Sequence, residues 1–225
     1  MAKNKLERFE ENKTFTNLFQ HTDYDLQKSV FPLKGRWNEL YFKNDNPVVL
    51  ELGCGKGEYT IALAQQFPNM NFIGIDRKGA RLWRGAKTAF EAKMANVAFL
   101  RTGIDAIAHY FSTCEVSEIW ITFPDPQPKK ERRRLTSPIF IERYKQILKP
   151  NATINLKTDS QELYLYTKET IETKKWTILE DIDDIYAKIT DENSVLVKIQ
   201  TFYEKIWLEA GKKITYLKFH ISNIG

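Results

Sequence analysis

The chain is poor in the residues that build metal centres and disulfide frameworks, and it has no long apolar run. Two cysteines, Cys54 and Cys114, and three histidines occur among 225 residues, and none has a metal-binding spacing. So few cysteines fit a reducing, cytoplasmic setting. No apolar run is long enough to cross a bilayer, and the first residues contain no apolar signal segment. We therefore expect neither a membrane protein nor a secreted one, and no resident metal.

The chain does have an ordinary core composition and clustered positive charge. Hydrophobic residues make up 42% of it, and its formal net charge is +5. From about residue 48 onward, short apolar runs alternate with segments of helical periodicity. This alternation predicts an α/β fold with mostly parallel strands and right-handed crossovers. We expect residues 1–45 to form an N-terminal extension and residues 46–225 to form one domain.

Glycines cluster between the first apolar strand and the helix after it, in Glu51-Leu-Gly53-Cys-Gly55-Lys-Gly57. Open α/β sheets bind ligands at this position. The G-x-G-x-G spacing differs from the dinucleotide fingerprint, and the acid before it would repel a pyrophosphate. Glu51 suits a cationic ligand, and Asp76, which ends the next strand, is placed to accept ribose hydroxyls. The pattern resembles the S-adenosylmethionine site of class I methyltransferases, although the glycines alone are also consistent with a tight turn.

A stiff loop that combines one acid with several cations follows the apolar run at residues 119–123. It reads Phe-Pro-Asp-Pro-Gln-Pro-Lys-Lys-Glu-Arg-Arg-Arg, and its prolines hold Asp125 just beyond the end of the strand. In a doubly wound sheet this strand end faces the ligand site. The cations suit contacts with phosphates, or they form an ordinary solvated face. They are Lys129, Lys130, Arg132, Arg133 and Arg134.

Weaker signals lie outside these two loops. Read alone, Asp105, Asp159 and Thr201 are consistent with helix N-caps. Arg81 and Arg84 flank a tryptophan and form a second, weaker basic and aromatic patch. None of these positions predicts a function by its spacing.

Taken together, the motifs resemble the bacterial tRNA (guanine-N7-)-methyltransferases. The glycine loop, the Phe-Pro-Asp-Pro-x-Pro-Lys-Lys segment, Lys157-Thr-Asp159 and Thr201-Phe-Tyr203-Glu204 occur in the family's order, and the likeness extends over about residues 47–219. The resemblance implies a Rossmann-like class I methyltransferase fold, with a mostly parallel seven-stranded sheet and an antiparallel C-terminal strand. It also implies methyl transfer from S-adenosyl-L-methionine to N7 of a guanosine in the tRNA variable loop.

The resemblance also implies a role for each matching residue. The cofactor-binding residues would be Glu51, Gly53, Gly55, Gly57, Asp76, Asp105 and Asp125, with Asp125 also catalytic. The residues that contact the substrate nucleotide would be Lys129, Asp159, Thr201, Phe202, Tyr203 and Glu204. The residues that contact the rest of the tRNA would be Lys130, Arg132, Arg133 and Arg134.

The expected role of Asp125 is electrostatic. Guanine N7 has a lone pair in the neutral base, so its methylation needs no proton removal but leaves a cationic ring. A nearby carboxylate would stabilise that charge and orient the base. The family usually has tryptophan where this chain has Gln127, so an aromatic packing surface is missing from the loop.

Three other functions remain open at this point. An adenine amino-methyltransferase has a similar loop but carries an aromatic that is absent here after Pro126. A nicotinamide-dependent dehydrogenase needs a loop that accepts a pyrophosphate, which Glu51 disfavours. A non-enzymatic RNA-binding module would keep only the fold and the basic residues.

Overall fold

In the computed structural model, which describes residues 2–21 and 29–221, the apolar runs form one eight-stranded sheet. Its strands are β1 (Leu18–Gln20), β2 (Val48–Leu52), β3 (Asn71–Asp76), β4 (Val97–Arg101), β5 (Val116–Thr122), β6 (Leu148–Thr158), β7 (Thr177–Ile182) and β8 (Thr215–His220). Their order across the sheet is β1-β4-β3-β2-β5-β6-β8-β7. All neighbouring pairs are parallel except β6–β8 and β7–β8. The predicted α/β class, with its antiparallel C-terminal strand, is confirmed.

Helices connect the strands and cover both faces of the sheet. They are α1 (Ala2–Glu11), α2 (Glu58–Gln66), α3 (Gly79–Glu91), α4 (Pro138–Lys145), α5 (Gln161–Thr173), α6 (Ile185–Lys188), α7 (Val195–Lys198) and α8 (Phe202–Glu209). A π-helical turn spans Trp37–Phe42, and 3₁₀ turns span Ile104–His109 and Glu131–Arg133. None of the described helices is long and apolar enough to cross a membrane.

The centre of the sheet is apolar on both faces. Every residue of β2 is buried, as expected for a parallel strand with neighbours on both sides. Because side chains alternate along a strand, Leu50 and Leu52 pack in one apolar cluster and Val49 packs in the other. The polar Glu51 breaks this run at the carboxyl end of β2, where the site begins.

The N-terminal segment adds one strand to the seven that were predicted. β1 pairs in parallel with β4, and the side-chain amide of Asn17 donates to the Ala86 carbonyl at 3.0 Å. Trp37 is fully buried and donates its indole N–H to the Tyr110 carbonyl at 3.1 Å. The described part of the extension therefore packs on the core. The boundary after residue 45 stays a prediction, and residues 1, 22–28 and 222–225 lie outside the described structure.

Candidate active site

The predicted site segments meet at the carboxyl edge of the sheet. The ends of β2, β3 and β5 are neighbours there, and the ends of β2 and β5 border a cleft of about 550 Å³, counting the space open to solvent. The glycine loop forms one wall, Thr122 and Phe123 at the end of β5 form another, and residues 201–203 cover a third side. The structure thus joins three segments that are far apart in sequence.

The first two glycines of the loop leave open space for a ligand. Gly53, Gly55 and Gly57 have φ angles of 77°, 58° and 72°, a conformation that favours glycine. A Cβ atom placed on Gly53 or Gly55 would meet nothing within 4 Å, whereas one on Gly57 would lie 2.5 Å from the Phe99 ring. Gly57 is therefore required by packing, and Gly53 and Gly55 are the pair that a ligand can approach.

Glu51 lies buried in the wall of the cleft. Its carboxylate accepts hydrogen bonds from the Thr122 hydroxyl at 2.6 Å and from the Thr60 hydroxyl. Burial raises the pKa of Glu51 to about 7, while the two hydroxyl donors act in the opposite direction. A positively charged ligand in the cleft would favour the ionised form, so this acid is suited to bind a cation.

Asp76 holds the glycine loop in place. One carboxylate oxygen accepts the Gly55 N–H at 3.1 Å, and the other accepts the Lys78 N–H at 2.7 Å. An ionised carboxylate has further lone pairs, so Asp76 can still accept hydrogen bonds from ligand hydroxyls.

Asp105 is exposed and lies inside its 3₁₀ turn, whose N-cap is Gly103. The interpretation of Asp105 as a helix cap was therefore wrong.

The acid loop, residues 123–134, is held in an unusual backbone conformation. Phe123 and Gln127 both have positive φ angles, 46° and 47°, which cost about 1–2 kcal/mol each in residues other than glycine. The exposed Asp125 accepts the Gln127 N–H at 3.0 Å through its own carboxylate. The Phe123 N–H donates to the Lys157 carbonyl at 2.8 Å, which fixes the start of the loop. Asp125 follows the cleft-lining Phe123 by two residues.

Arg134 does not belong to the exposed basic surface. It is only 1% exposed, and its Nε donates to the Pro126 carbonyl at 3.0 Å. Its guanidinium pairs with Glu162 and lies 4.4 Å from the centre of the Tyr166 ring. The prediction that Arg134 contacts tRNA does not agree with this burial, because the side chain is used to hold the acid loop.

The other four cations of the loop are exposed. They form no ion pair with any residue that the structure describes. They remain available for a partner, and we call them the loop cations: Lys129, Lys130, Arg132 and Arg133.

Lys157 and Glu204 form a fully buried ion pair beneath the cleft. Both side chains are 0% exposed, and Nζ lies 2.7 Å from Oε1 of Glu204. The ammonium also donates to the carbonyls of Leu196 at 2.7 Å and Ile199 at 3.1 Å, so its three donors are all used. Burial lowers the pKa of Lys157 to about 8, and Glu204 opposes this change. Glu204, predicted to contact the nucleotide, instead anchors the segment that does line the cleft.

The start of α8 contacts the first residue of α2, next to the glycine loop. Thr201 accepts the Glu204 N–H at 3.2 Å in a capping box, which confirms its interpretation as an N-cap. The Phe202 N–H donates to the Glu58 carboxylate at 2.9 Å. Phe202 and Tyr203 are each 54% exposed and line the cleft. Two aromatic faces are thus presented at its mouth.

Asp159 forms an ion pair and does not cap a helix. Ser160, and not Asp159, caps α5, because its hydroxyl accepts the Leu163 N–H at 3.2 Å. Asp159 pairs with Lys212 at 2.8 Å. Its predicted contact with the substrate nucleotide remains a prediction.

Several residues of the site were missed by sequence reasoning. Thr60 and Thr122 donate to Glu51, and Tyr59 lines the cleft, although its hydroxyl is buried and has no hydrogen-bond partner among the described residues. The sequence assigned Lys157 no role of its own. A lysine at the end of an apolar strand could have indicated a buried ion pair. No sequence pattern marks the two threonines or Tyr59 as site residues.

The cleft fits the cofactor that the resemblance implies. S-adenosylmethionine carries a sulfonium and an ammonium, which suit Glu51, and ribose hydroxyls, which suit Asp76. Gly53 and Gly55 leave room for its close approach. In the described residues, no group of three or more His, Cys, Asp or Glu side chains could hold a metal ion.

Comparison with known proteins agrees with this geometry. The family model described as "Putative methyltransferase" matches residues 45–217. The tRNA (guanine-N(7)-)-methyltransferase of Christiangramia forsetii is 54% identical over 98% of this chain and 99% of its own length. The protein of the same name from Porphyromonas gingivalis is 51% identical over 92% of this chain and 85% of its own.

Solved structures with little sequence similarity share the fold. The 16S rRNA methyltransferase KamB matches with a TM-score of 0.63 at 14% identity and covers 91% of this chain and 95% of its own. An antibiotic-related methyltransferase matches with a TM-score of 0.59 at 17% identity, over 89% of this chain and 94% of its own. At these identities the likeness concerns the fold alone.

Proposed function

The chain belongs to the tRNA (guanine-N(7)-)-methyltransferase family, and we propose that the cleft between the glycine loop and the acid loop is its active site. The enzyme transfers a methyl group from S-adenosylmethionine to guanine N7 in tRNA. We place the target guanosine in the variable loop. The observation that carries the proposal is the shared edge: buried Glu51, the open faces of Gly53 and Gly55, and Phe123 at the start of the acid loop meet at one cleft.

The cofactor side of the cleft uses carboxylates and open backbone. Gly53 and Gly55 let the ligand approach the chain, Glu51 compensates its positive charge, and Asp76 accepts its hydroxyls. Bound S-adenosylmethionine supplies a methyl group on a positively charged sulfur. Asp105 does not line the cleft, and we propose it as a further contact of the cofactor.

On the substrate side, Asp125 stabilises the positive charge that appears on guanine when N7 is methylated. No residue has to remove a proton from N7, so a general base is not required. Phe202 and Tyr203 offer aromatic faces on which a base can stack. Thr201, Lys129 and Asp159 complete the proposed nucleotide contacts, while Glu204 and Arg134 act by positioning.

Two alternatives fit the geometry less well. A dehydrogenase would place a pyrophosphate beside the buried Glu51, where its charge would be repelled. An adenine amino-methyltransferase would need an aromatic after Pro126, and this loop has Gln127 there, in a left-handed conformation. A tRNA substrate implies a cytoplasmic location, which forms part of the same proposal.

Nucleoside analysis tests the function directly. Unmodified tRNA is incubated with the protein and S-adenosylmethionine, digested, and analysed by mass spectrometry. We expect 7-methylguanosine and no 6-methyladenine. A folded protein that binds the cofactor and yields no 7-methylguanosine would contradict the proposal.

A pair of variants tests the role of Asp125. Asp125→Asn keeps an oxygen for the Gln127 N–H but removes the charge, whereas Asp125→Ala removes both. We expect each to lower kcat by about 10²–10³-fold, with little change in tRNA affinity. If Asp125→Asn retained most of the activity, Asp125 would serve only to shape the loop.

A further inference from the structure

A second group of exposed cations lies on the other side of β2 from the acid loop. Arg77 and Lys78 follow β3, and Arg81 and Arg84 lie on the first two turns of α3. All four side chains are exposed, and none forms an ion pair with any residue in the described ranges. We call these four residues the α3 surface.

The α3 surface lies at the amino-terminal end of α3. Arg81 and Arg84 are three residues apart in the helix, so they share a face, and Lys78 is the N-cap residue at its start. They extend over roughly 9 Å along the axis, at 1.5 Å per residue, which is more than a single phosphate occupies. The N-terminal end of α3 adds its own partial positive charge. By contrast, Lys87 farther along the helix is paired with Glu11 at 2.7 Å.

This surface continues into the cleft. Arg81 lines the cleft together with Lys56, Phe202 and Tyr203. The Lys56 ammonium lies 5.2 Å from the centre of the Phe202 ring. Cations and exposed aromatics therefore line the same cleft, a combination that suits a polyanion whose bases stack.

The strand order places cations on both sides of the cofactor position. β3 and β5 flank β2, so the points where the α3 surface and the acid loop leave the sheet are about 10 Å apart. A nucleic acid that places one base in the cleft would have backbone on both sides of it. Each side then meets unpaired positive charge.

We propose that the α3 surface is a second tRNA-binding surface, which contacts phosphates on the side of the target nucleoside opposite the loop cations. The inference rests on the proposed function for the identity of the polyanion. It adds a binding face on the other side of the cleft. Binding therefore depends on two separated groups of cations and not on the acid loop alone.

The test uses the double variant Lys78→Gln/Arg84→Gln, because neither residue lines the cleft. Its affinity for tRNA is measured without cofactor over a range of KCl concentrations. We expect the slope of log K against log salt to become shallower by about 1.4–1.8, from two lost phosphate contacts. Binding of S-adenosylmethionine, measured by calorimetry, should stay unchanged.

The matched control is Lys149→Gln/Lys174→Gln, which removes the same charge elsewhere. Lys149 lies near the amino end of β6 and Lys174 at the C-cap of α5, at the opposite edge of the sheet, and both are exposed. We expect its slope to equal that of the wild type. An unchanged slope in the α3 double variant, or an equal reduction in both variants, would overturn the inference. Because binding is measured without methylation, a wild-type protein that made no 7-methylguanosine would contradict the function and leave this test intact.

Discussion

The buried ion pair Lys157–Glu204 and the loop cations lie at the same edge of the sheet, yet their environments differ completely. Lys157 has all three donors engaged by groups of the chain itself. Arg132 and Arg133 are exposed and have no ionic partner in the described structure. The buried charges therefore fix the shape of the cleft, and the exposed charges are left for a partner. Two adjacent arginines, Arg133 and Arg134, fall on opposite sides of this division.

Breaking the buried pair should have the largest effect. Lys157→Met leaves the Glu204 carboxylate buried without its counterion, so we expect the free energy of unfolding to fall by about 3–5 kcal/mol. Lys212→Met, which breaks the more exposed pair with Asp159, should cost no more than about 1 kcal/mol. Urea denaturation of both variants measures the difference.

The double variant Lys157→Met/Glu204→Leu separates charge from packing. Replacement of both charges should recover much of the stability that the single variant loses. Methyl transfer should not recover with it, because Glu204 also caps α8 and holds Thr201. If Lys157→Met cost no more than Lys212→Met, the contrast between buried and exposed charges would fail.

The next effect concerns pH and Glu51. Burial raises the pKa of Glu51 from 4.5 to about 7, so the folded state holds this proton more tightly than the unfolded state. The resulting stabilisation is fully present below pH 4.5 and is lost as the pH rises through 7. Relative to Glu51→Gln, the wild type should lose about 3 kcal/mol of unfolding free energy between pH 4.5 and pH 8.

Urea denaturation at several pH values checks this prediction, since groups common to both proteins cancel in the difference. Affinity for S-adenosylmethionine should rise over the same pH range more in the wild type than in Glu51→Gln, because a cation favours the ionised acid. A stability difference that did not vary with pH would show that Glu51 is not held in its neutral form.

Arg134 should give a smaller but more specific effect. Both Arg134→Met and Arg134→Lys lose the hydrogen bond to the Pro126 carbonyl and the planar contact with Tyr166. We expect about 1–2 kcal/mol of lost stability and a decrease in kcat of roughly tenfold, with the KM for tRNA little changed. Steady-state kinetics measure this separation, and a change in KM alone would assign Arg134 to RNA contact.

The fold and the cofactor side could be predicted because local sequence determines them. The glycines, Glu51 and Asp76 lie at strand ends, and strand ends of a parallel sheet meet at one edge. The environments of Arg134 and Glu204 could not be predicted in this way. Their partners Glu162 and Lys157 lie 28 and 47 positions away, and only tertiary packing decides whether a charged side chain is buried.

The central claim is that burial, and not position in the sequence, separates the charges that shape the site from those that bind tRNA. The most direct test is the salt dependence of tRNA binding for Arg133→Gln and Arg134→Met, two neighbouring substitutions that each remove one positive charge. We expect Arg133→Gln to make the slope of log K against log salt shallower by about 0.7–0.9, and Arg134→Met to leave it unchanged. An equal reduction for both variants, or a reduction for Arg134→Met alone, would contradict the account.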